Sequence, residues 1–265
     1  MKEAALKVRL LCFTPTPETA AALGARLCYS DSGIEDLKEQ VAPKAGAMVD
    51  RLMGYGHLSP IEHASFTFGV EGVSRALLAQ LTRHRIASFS VQSQRYVAKP
   101  EGSPYILPPS IAAKGAGAVE EYHRQMEAIN GFYAYWLGEG IPAEDARFLL
   151  PNAAETRLIL TMNARELLHF FSLRCCERAQ WEIRRLAWVM LGLARREAPS
   201  LFAHAGTACA HGACTEGKMS CGGAAKMRVL DEALTALCHT GADDETIQRW
   251  VLANIGGYEN KKEQE

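Results

Sequence analysis

The alternation of hydrophobic and polar residues predicts both strands and helices along this chain. Residues 64–70 alternate strictly, with Phe66, Phe68 and Val70 on one face, which indicates a half-buried strand. Residues 156–162 have the β-branched and apolar content of a second strand, and residues 88–97 also follow an extended pattern. Apolar positions at helical spacing predict helices over residues 17–29, 34–52, 74–83, 118–137, 142–150, 180–196, 227–239 and 244–255.

One further helix has a well-defined start at Asn163. Glu166 follows three residues later, which is the spacing of a capping box. Helices and strands mix without a regular strand–helix–strand alternation, so the pattern favours an α+β fold over a doubly wound sheet. The composition shifts to Gly, Cys, Ala and Thr after residue 205. We therefore predict a main domain over residues 1–205 and a loop with a helical extension over residues 206–265, with a frayed end from Lys261.

The composition is that of an ordinary globular protein. Hydrophobic residues make up 48% of the chain and charged residues 22%, and the formal net charge of −1 gives no general basis for binding nucleic acid or membrane. The start of the chain lacks the apolar segment of a secretory signal, and the apolar stretch at residues 186–194 is too short to span a bilayer. We expect a cytoplasmic protein, in which the eight cysteines are free thiols or metal ligands rather than disulfides.

Residues 80–96 carry the most unusual combination of side chains. Arg83, His84 and Arg85 end a predicted helix, where positive charge is favoured, and Ser93 and Arg95 follow on an extended segment. Guanidinium groups beside hydroxyls can bind a phosphate or a heterocycle with carbonyl oxygens. A helix end followed by a polar strand would explain the triplet alone, but the additional residues at these distances favour a binding site.

This segment resembles the signature of the flavin-dependent thymidylate synthases, which is Arg-His-Arg, seven residues, then Ser. Arg83, His84, Arg85 and Ser93 satisfy that pattern. Five further blocks resemble the family in the same order, at residues 25–29, 56–63, 146–151, 163–174 and 179–183. Several independent blocks in one order make the resemblance far more specific than a single motif.

The resemblance implies a fold, an assembly and a reaction. The expected subunit is α+β, with a mixed or antiparallel sheet flanked by helices, and four subunits form a homotetramer with active sites where they meet. The expected reaction methylates dUMP to dTMP. It takes a one-carbon unit from 5,10-methylenetetrahydrofolate, and FAD reduced by NADPH supplies the hydride that completes the methyl group.

The resemblance also implies site residues. Those expected to bind FAD are Ser59, Arg83, His84, Arg85, Val91, Asn163, Ala164, Arg165 and His169. Those expected to bind dUMP are Gln80, Arg83, Val91, Gln92, Ser93, Gln94, Arg95, Arg147 and Arg174. Arg147 would contact the phosphate from another subunit. The sequence departs from the familiar pattern at His169, where many members have Asn, and at Arg178, where His is familiar.

Arg174 is the expected catalytic residue, which would favour ionisation at N3 of the pyrimidine. It follows Phe170 and Phe171, and a buried cation beside that pair needs a partner. The alternative is a structural ion pair with Glu177 or Glu182. Ser93 could in principle act as a nucleophile, but no His–acid pair lies beside it in the sequence, so we assign it to nucleotide binding.

Two other classes of protein are weaker alternatives. A nucleic-acid-binding protein could use the Arg-His-Arg segment, but the chain lacks a basic stripe. A structural zinc protein could use Cys209, Cys214, Cys221 and His211, although their spacing does not match paired Cys-x2-Cys ligands. We predict no metal in the active site.

Overall fold

A computed structural model describes residues 2–256 and contains one four-stranded sheet. The strands are β1 (Lys7–Phe13), β2 (Ser65–Ser74), β3 (Ala87–Val91) and β4 (Glu155–Asn163). Their order in the sheet is β1-β2-β4-β3, and every neighbouring pair is antiparallel. The α+β prediction is confirmed, and the sheet is antiparallel rather than mixed.

Helices cover one face of this sheet and extend beyond it. They are α1 (Pro17–Leu27), α2 (Ile34–Val41), α3 (Ala45–Gly54), α4 (Arg75–Leu81), α5 (Pro109–Ala112), α6 (Ala116–Gly138), α7 (Ala143–Ala146), α8 (Ala164–Arg174), α9 (Trp181–Glu197), α10 (Ala208–His211), α11 (Ala224–His239) and α12 (Asp244–Asn254). Short 3-10 turns lie at Ala42–Lys44, Pro60–His63, Arg147–Leu149 and Gly217–Met219. None of the helices in the described range is long and apolar enough to cross a membrane.

The core forms where β2 and β4 present their alternating apolar side chains to α9. Phe66 pairs with Met162 and Phe68 with Leu160, and all four are buried. Most of α9 is also buried, and the indole Nε1 of Trp188 donates to the carbonyl of Cys175 at 3.0 Å. Helices α11 and α12 contribute side chains to the same hydrophobic core. The end from Lys261, for which fraying was predicted, lies outside the described residues.

Strand β2 is longer than its alternation predicts because it contains an irregularity at Gly72. The register with β4 shifts between Val70 and Val73, and Gly72 has a φ of +68°. A Cβ atom there would lie 1.9 Å from the carbonyl oxygen of Ala5, so only glycine fits. After this shift the strand continues to Ser74, whose hydroxyl caps α4 by accepting from the backbone N–H of Leu77 at 3.0 Å.

Two other predicted elements end earlier or are interrupted. The helix predicted over residues 34–52 contains a 3-10 turn at Ala42–Lys44, where Pro43 has no N–H to donate. The extended segment predicted over residues 88–97 stops being a strand after Val91. The hydroxyl of Ser93 accepts from the backbone N–H of Arg95 at 3.1 Å, and the carbonyl of Ser93 accepts from Val97 at 3.1 Å, which produces a turn.

Candidate active site

The Arg-His-Arg segment forms the connection between α4 and β3. The N–H of His84 donates to the carbonyl of Leu81 at 3.1 Å, which closes the last turn of the helix. Arg83 and Arg85 are exposed, whereas His84 is only 5% exposed and points into the protein. The three residues thus face different surroundings, and the histidine is available to interior partners only.

Helix α8 packs against the Arg-His-Arg segment. It begins directly after β4, and the side chain of Asn163 accepts from the backbone N–H of Glu166 at 2.9 Å, which confirms the predicted start. Arg165 forms an ion pair with Glu62 from the turn at Pro60–His63. The exposed Ser59 precedes that turn. Ala164 is fully buried, and its backbone N–H donates to the carbonyl of Ala64 at 2.7 Å.

An open cleft of about 640 Å³ lies along the outer face of α8. Its size falls within the range of small-molecule sites in proteins, roughly 300–1,000 Å³. Its apolar walls come from three segments of the chain, and most of its polar groups come from α8. The lining residues are Leu58, Glu62, Ile86, Asn163, Arg165, Glu166, Leu168, His169 and Ser172.

The donor set of this cleft fits FAD. A flavin has a planar ring that needs apolar walls and a diphosphate that needs hydrogen-bond donors and positive charge. Leu58, Ile86 and Leu168 provide the walls, while Arg165 and Asn163 provide donors. Arg165, His169 and Ser172 share one face of α8, because all three line this cleft.

Arg174 ends α8 and is held by a buried contact. Its Nε donates to Nε2 of His84 at 3.1 Å, and Nδ1 of His84 lies 3.1 Å from Oε1 of Glu166. Burial and, second, the charge of Arg83 lower the pKa of Arg174 from its ordinary value. The ring of His84 lies 6.0 Å from that of His169, so Arg174 connects to the cleft wall through a histidine.

Arg174 contacts His84 rather than Glu177 or Glu182, the two acids considered as its alternative partners. Glu177 lies 3.0 Å from Arg184 and 3.5 Å from Lys226. Glu182 accepts from the N–H and the hydroxyl of Ser74 at 2.7 and 2.6 Å, and burial raises the pKa of Glu182. Both acids are engaged elsewhere.

A second cluster of arginines surrounds Glu144 of α7. Nε of Arg95 lies 3.0 Å from the Glu144 carboxylate, and Nε of Arg147 donates to the Glu144 carbonyl at 3.0 Å. Arg75 also lies close to Arg147. Burial and, second, the charge of Arg147 lower the pKa of Arg75. Two predicted nucleotide contacts, Arg95 and Arg147, are therefore brought together by Glu144, a residue that the sequence did not single out.

The remaining predicted nucleotide contacts lie on α4, in the turn after β3 and on the open face of the sheet. The Gln80 amide is 3.5 Å from the carbonyl of Ala76, and Gln94 lies in the turn after β3. Val91 and Gln92 line another open cavity of about 640 Å³, beside Arg9 and Arg157. The predicted residues thus occupy distinct surfaces of one chain rather than a single cleft.

Glu166 is the other site residue that sequence reasoning missed. Its spacing from Asn163 indicated only a cap, but its side chain is 7% exposed and contacts His84. Because 82 positions separate the two residues in the chain, no local pattern links them.

The cysteine-rich segment does not assemble a metal site within residues 2–256. In that range no three His, Cys, Asp or Glu side chains are placed to hold a metal ion. His211 instead lies 3.5 Å from Asp231, and the thiol of Cys209 donates to Thr207 at 3.4 Å. Within residues 2–256 none of the eight cysteines forms a disulfide.

Comparison with known proteins gives consistent results. The family described as "Thymidylate synthase complementing protein" matches residues 9–200. A flavin-dependent thymidylate synthase from Geobacter sulfurreducens is 53% identical over 227 residues, which cover 85% of this chain and 97% of that protein. One from Clostridium tetani is 46% identical, with 86% and 98% covered.

Among solved structures, the UMP/dUMP methylase PolB from Streptomyces cacaoi, bound with 5-Br dUMP, is similar with a TM-score of 0.68 and 25% identity. The alignment covers 77% of this chain and 96% of that one. Because the family match spans most of the chain and the relatives align over nearly their full lengths, this chain belongs to the flavin-dependent thymidylate synthase family.

Proposed function

We propose that this enzyme methylates dUMP to dTMP in the cytoplasm, with 5,10-methylenetetrahydrofolate as the carbon donor and NADPH as the reductant. One observation supports this most directly. The cleft that fits FAD and the half-buried guanidinium of Arg174 lie on the same helix, connected through His84. The named activity of the relatives and the nucleotide analogue bound to PolB agree with the proposal.

The proposed reaction replaces the hydrogen at C5 of uracil with a methyl group. The hydride that completes the methyl group would come from FAD, when this cofactor is bound and reduced. The balance is dUMP, methylenetetrahydrofolate, NADPH and a proton giving dTMP, tetrahydrofolate and NADP⁺. Asn163, Arg165 and the exposed Arg83 and Arg85 would hold the flavin.

In this proposal Arg174 activates the pyrimidine. A guanidinium beside the ring stabilises the negative charge that develops when N3 loses its proton, and this raises electron density at C5. Partial burial strengthens the effect because fewer water molecules screen the charge. Arg95 and Arg147 would bind the phosphate. Both are positioned by Glu144, whose carboxylate contacts Arg95 and whose carbonyl accepts from Arg147.

We also propose that the active site is shared between subunits of a homotetramer. Two features support this. The predicted nucleotide and flavin contacts lie on separate surfaces of one chain, so a second copy could bring them together. In addition, the 23-residue α6 buries Met126 and Tyr133 but leaves apolar side chains exposed on itself and on the following turns. The exposed side chains are Phe132, Tyr135, Trp136, Phe148 and Leu149.

The proposed activity predicts that the purified protein forms dTMP from dUMP, methylenetetrahydrofolate and NADPH under anaerobic conditions. NADPH should be oxidised faster with dUMP present, because the nucleotide completes the flavin pocket. The measurements are dTMP by chromatography and NADPH by absorbance, with bound FAD quantified per subunit. Omitting methylenetetrahydrofolate is the control: with no acceptor for the hydride, NADPH oxidation should stop once the bound FAD is reduced, and no dTMP should form. A protein loaded with FAD that forms no dTMP would contradict the proposal.

Ser93→Ala should weaken dUMP binding yet retain dTMP synthesis. The Ser93 hydroxyl contacts a backbone N–H rather than a base, so it lacks the activation that a nucleophile needs. Loss of one hydrogen bond to a charged group corresponds to about ten- to a hundredfold in KM for dUMP.

Ser220→Ala is the matched control. Ser220 makes the same kind of contact, to the N–H of Gly222 at 3.3 Å, outside the candidate site. It should leave KM unchanged. A covalent adduct between dUMP and Ser93, detected by mass spectrometry during turnover, would show that Ser93 is a nucleophile instead.

A further inference from the structure

A chain of three polar side chains runs from the interior to the candidate site. It comprises Glu166, His84 and Arg174, with both contacts at 3.1 Å. Glu166 and His84 are 7% and 5% exposed, and Arg174 is half-buried. The aromatic ring of Phe170 packs edge-on against His84, with the ring centroids 5.0 Å apart. The imidazole therefore has little freedom to turn.

The two partners of His84 determine which of its nitrogens carries the proton. A guanidinium can only donate, so Nε2 of His84 must accept from Arg174 and cannot carry hydrogen. An ionised carboxylate can only accept, so Nδ1 must carry the hydrogen and donate to Glu166. Both contacts are satisfied together only by the neutral ring protonated at Nδ1.

The charges around His84 favour that neutral ring. It faces Glu166, His169 and Arg174 from α8, and Arg83 precedes it in its own loop. Burial has the largest effect on its pKa and lowers it, the contacts with Glu166 raise it, and Arg174 and His169 lower it. The net direction is downward, so His84 accepts from Arg174 throughout the neutral range.

We propose that Glu166 is a positioning residue, which acts through the tautomer of His84 to hold the guanidinium of Arg174 towards the pyrimidine. The role rests on the proposed function, because it matters only if Arg174 contacts the substrate. If the proton of His84 moved to Nε2, that N–H would face the Nε–H of Arg174, and neither group could accept a hydrogen bond. Arg174 would then lose the contact at Nε that fixes its direction.

The acid side of the pH profile follows from the same contact. Protonation puts hydrogen on both ring nitrogens of His84, which breaks the contact with Arg174 and adds a like charge beside it. Turnover should therefore fall as the pH drops through the lowered pKa of His84. Because Glu166 raises that pKa, removing its charge should move the acid limb of kcat to lower pH.

Two substitutions of Glu166 separate position from charge. Glu166→Ala leaves Nδ1 without an acceptor and should lower kcat about ten- to a hundredfold, the size of effect seen when the carboxylate behind a metal-binding histidine is removed. Glu166→Gln offers a neutral acceptor at the same place, and we expect it to retain kcat within a few-fold at neutral pH. Its acid limb should lie at lower pH than that of the parent enzyme.

Asp231→Asn is the matched control. Asp231 is also a buried carboxylate between an arginine and a histidine, Arg195 at 2.8 Å and His211 at 3.5 Å, but it lies away from the cleft. It should reduce thermal stability without changing kcat per folded enzyme or its pH profile. Bound FAD and the unfolding temperature are measured for every variant.

The decisive measurement compares Glu166→Ala in two backgrounds. If Glu166 acts through Arg174, its removal should change kcat little in an enzyme that already carries Arg174→Ala. An equal loss in both backgrounds, an unshifted acid limb in Glu166→Gln, or equal losses for the Ala and Gln variants would each overturn the proposal. None of these outcomes bears on the proposed function, which depends on dTMP formation by the parent enzyme.

Discussion

Arg174→Ala should lower kcat for dTMP formation about a hundred- to a thousandfold, the usual effect of removing one preorganised donor. The guanidinium is half-buried at the end of α8 and held at 3.1 Å from His84, so its charge is already directed before substrate binds. FAD should stay bound, because Asn163 and Arg165 line the cleft independently of Arg174. The loss should therefore appear in turnover rather than in flavin content.

Arg174→Lys tests whether charge alone is sufficient. An ammonium group cannot reproduce the planar geometry of guanidinium, which contacts His84 through Nε while its other nitrogens remain available. We therefore expect little recovery of kcat. The comparison is steady-state dTMP formation against bound FAD per subunit for both variants. Turnover of Arg174→Ala within a few-fold of the parent would mean that Arg174 only stabilises the fold.

Local sequence patterns predict most of the elements that build the site. The alternation around Phe66 and Phe68 marks β2, and Asn163 marks the start of α8, because each signal depends on neighbouring residues. Strand β1 was not predicted. It lies at the edge of the sheet, and Val8 is its one residue that is fully buried, so its hydrophobic signal is weak.

The contacts between distant segments could not be predicted in this way. The resemblance identified Arg95 and Arg147 as nucleotide contacts, but Glu144, which contacts both, carries no motif. The contact of His84 with Glu166 likewise depends on the packing of the α4–β3 connection against α8. Sequence blocks thus indicated which residues matter, and the fold shows which of them act together.

Arg195→Ala should destabilise the protein more than any surface substitution. Arg195 is 1% exposed on α9, and its guanidinium is hydrogen-bonded throughout. Its acceptors are the Asp231 carboxylate at 2.8 Å, the Thr235 hydroxyl at 2.7 Å, and the carbonyls of Phe202, Ala205 and Asp231 at 3.1, 2.9 and 3.4 Å. These contacts join α9 to α11 and to the loop before α10.

Removing the guanidinium leaves a buried carboxylate and several carbonyls without their donor. Breaking a buried pair in this way costs about 3–5 kcal/mol in free energy of unfolding. For a chain of this size the unfolding temperature should fall by roughly 6–20 °C. Turnover per folded enzyme at low temperature should change little, because these contacts lie outside the α8 cleft.

Arg196→Ala provides the control on the same helix. Arg196 is also paired, with Glu197 at 2.7 Å and Asp244 at 2.9 Å, but its side chain is 19% exposed and water can replace those partners. Pairs that water can reach contribute at most about 1 kcal/mol each, so the unfolding temperature should fall by less than roughly 8 °C. Calorimetry of both variants makes the comparison. Equal shifts would mean that water reaches the Arg195 site as well, and that the Arg195–Asp231 pair does not hold α9 and α11 together.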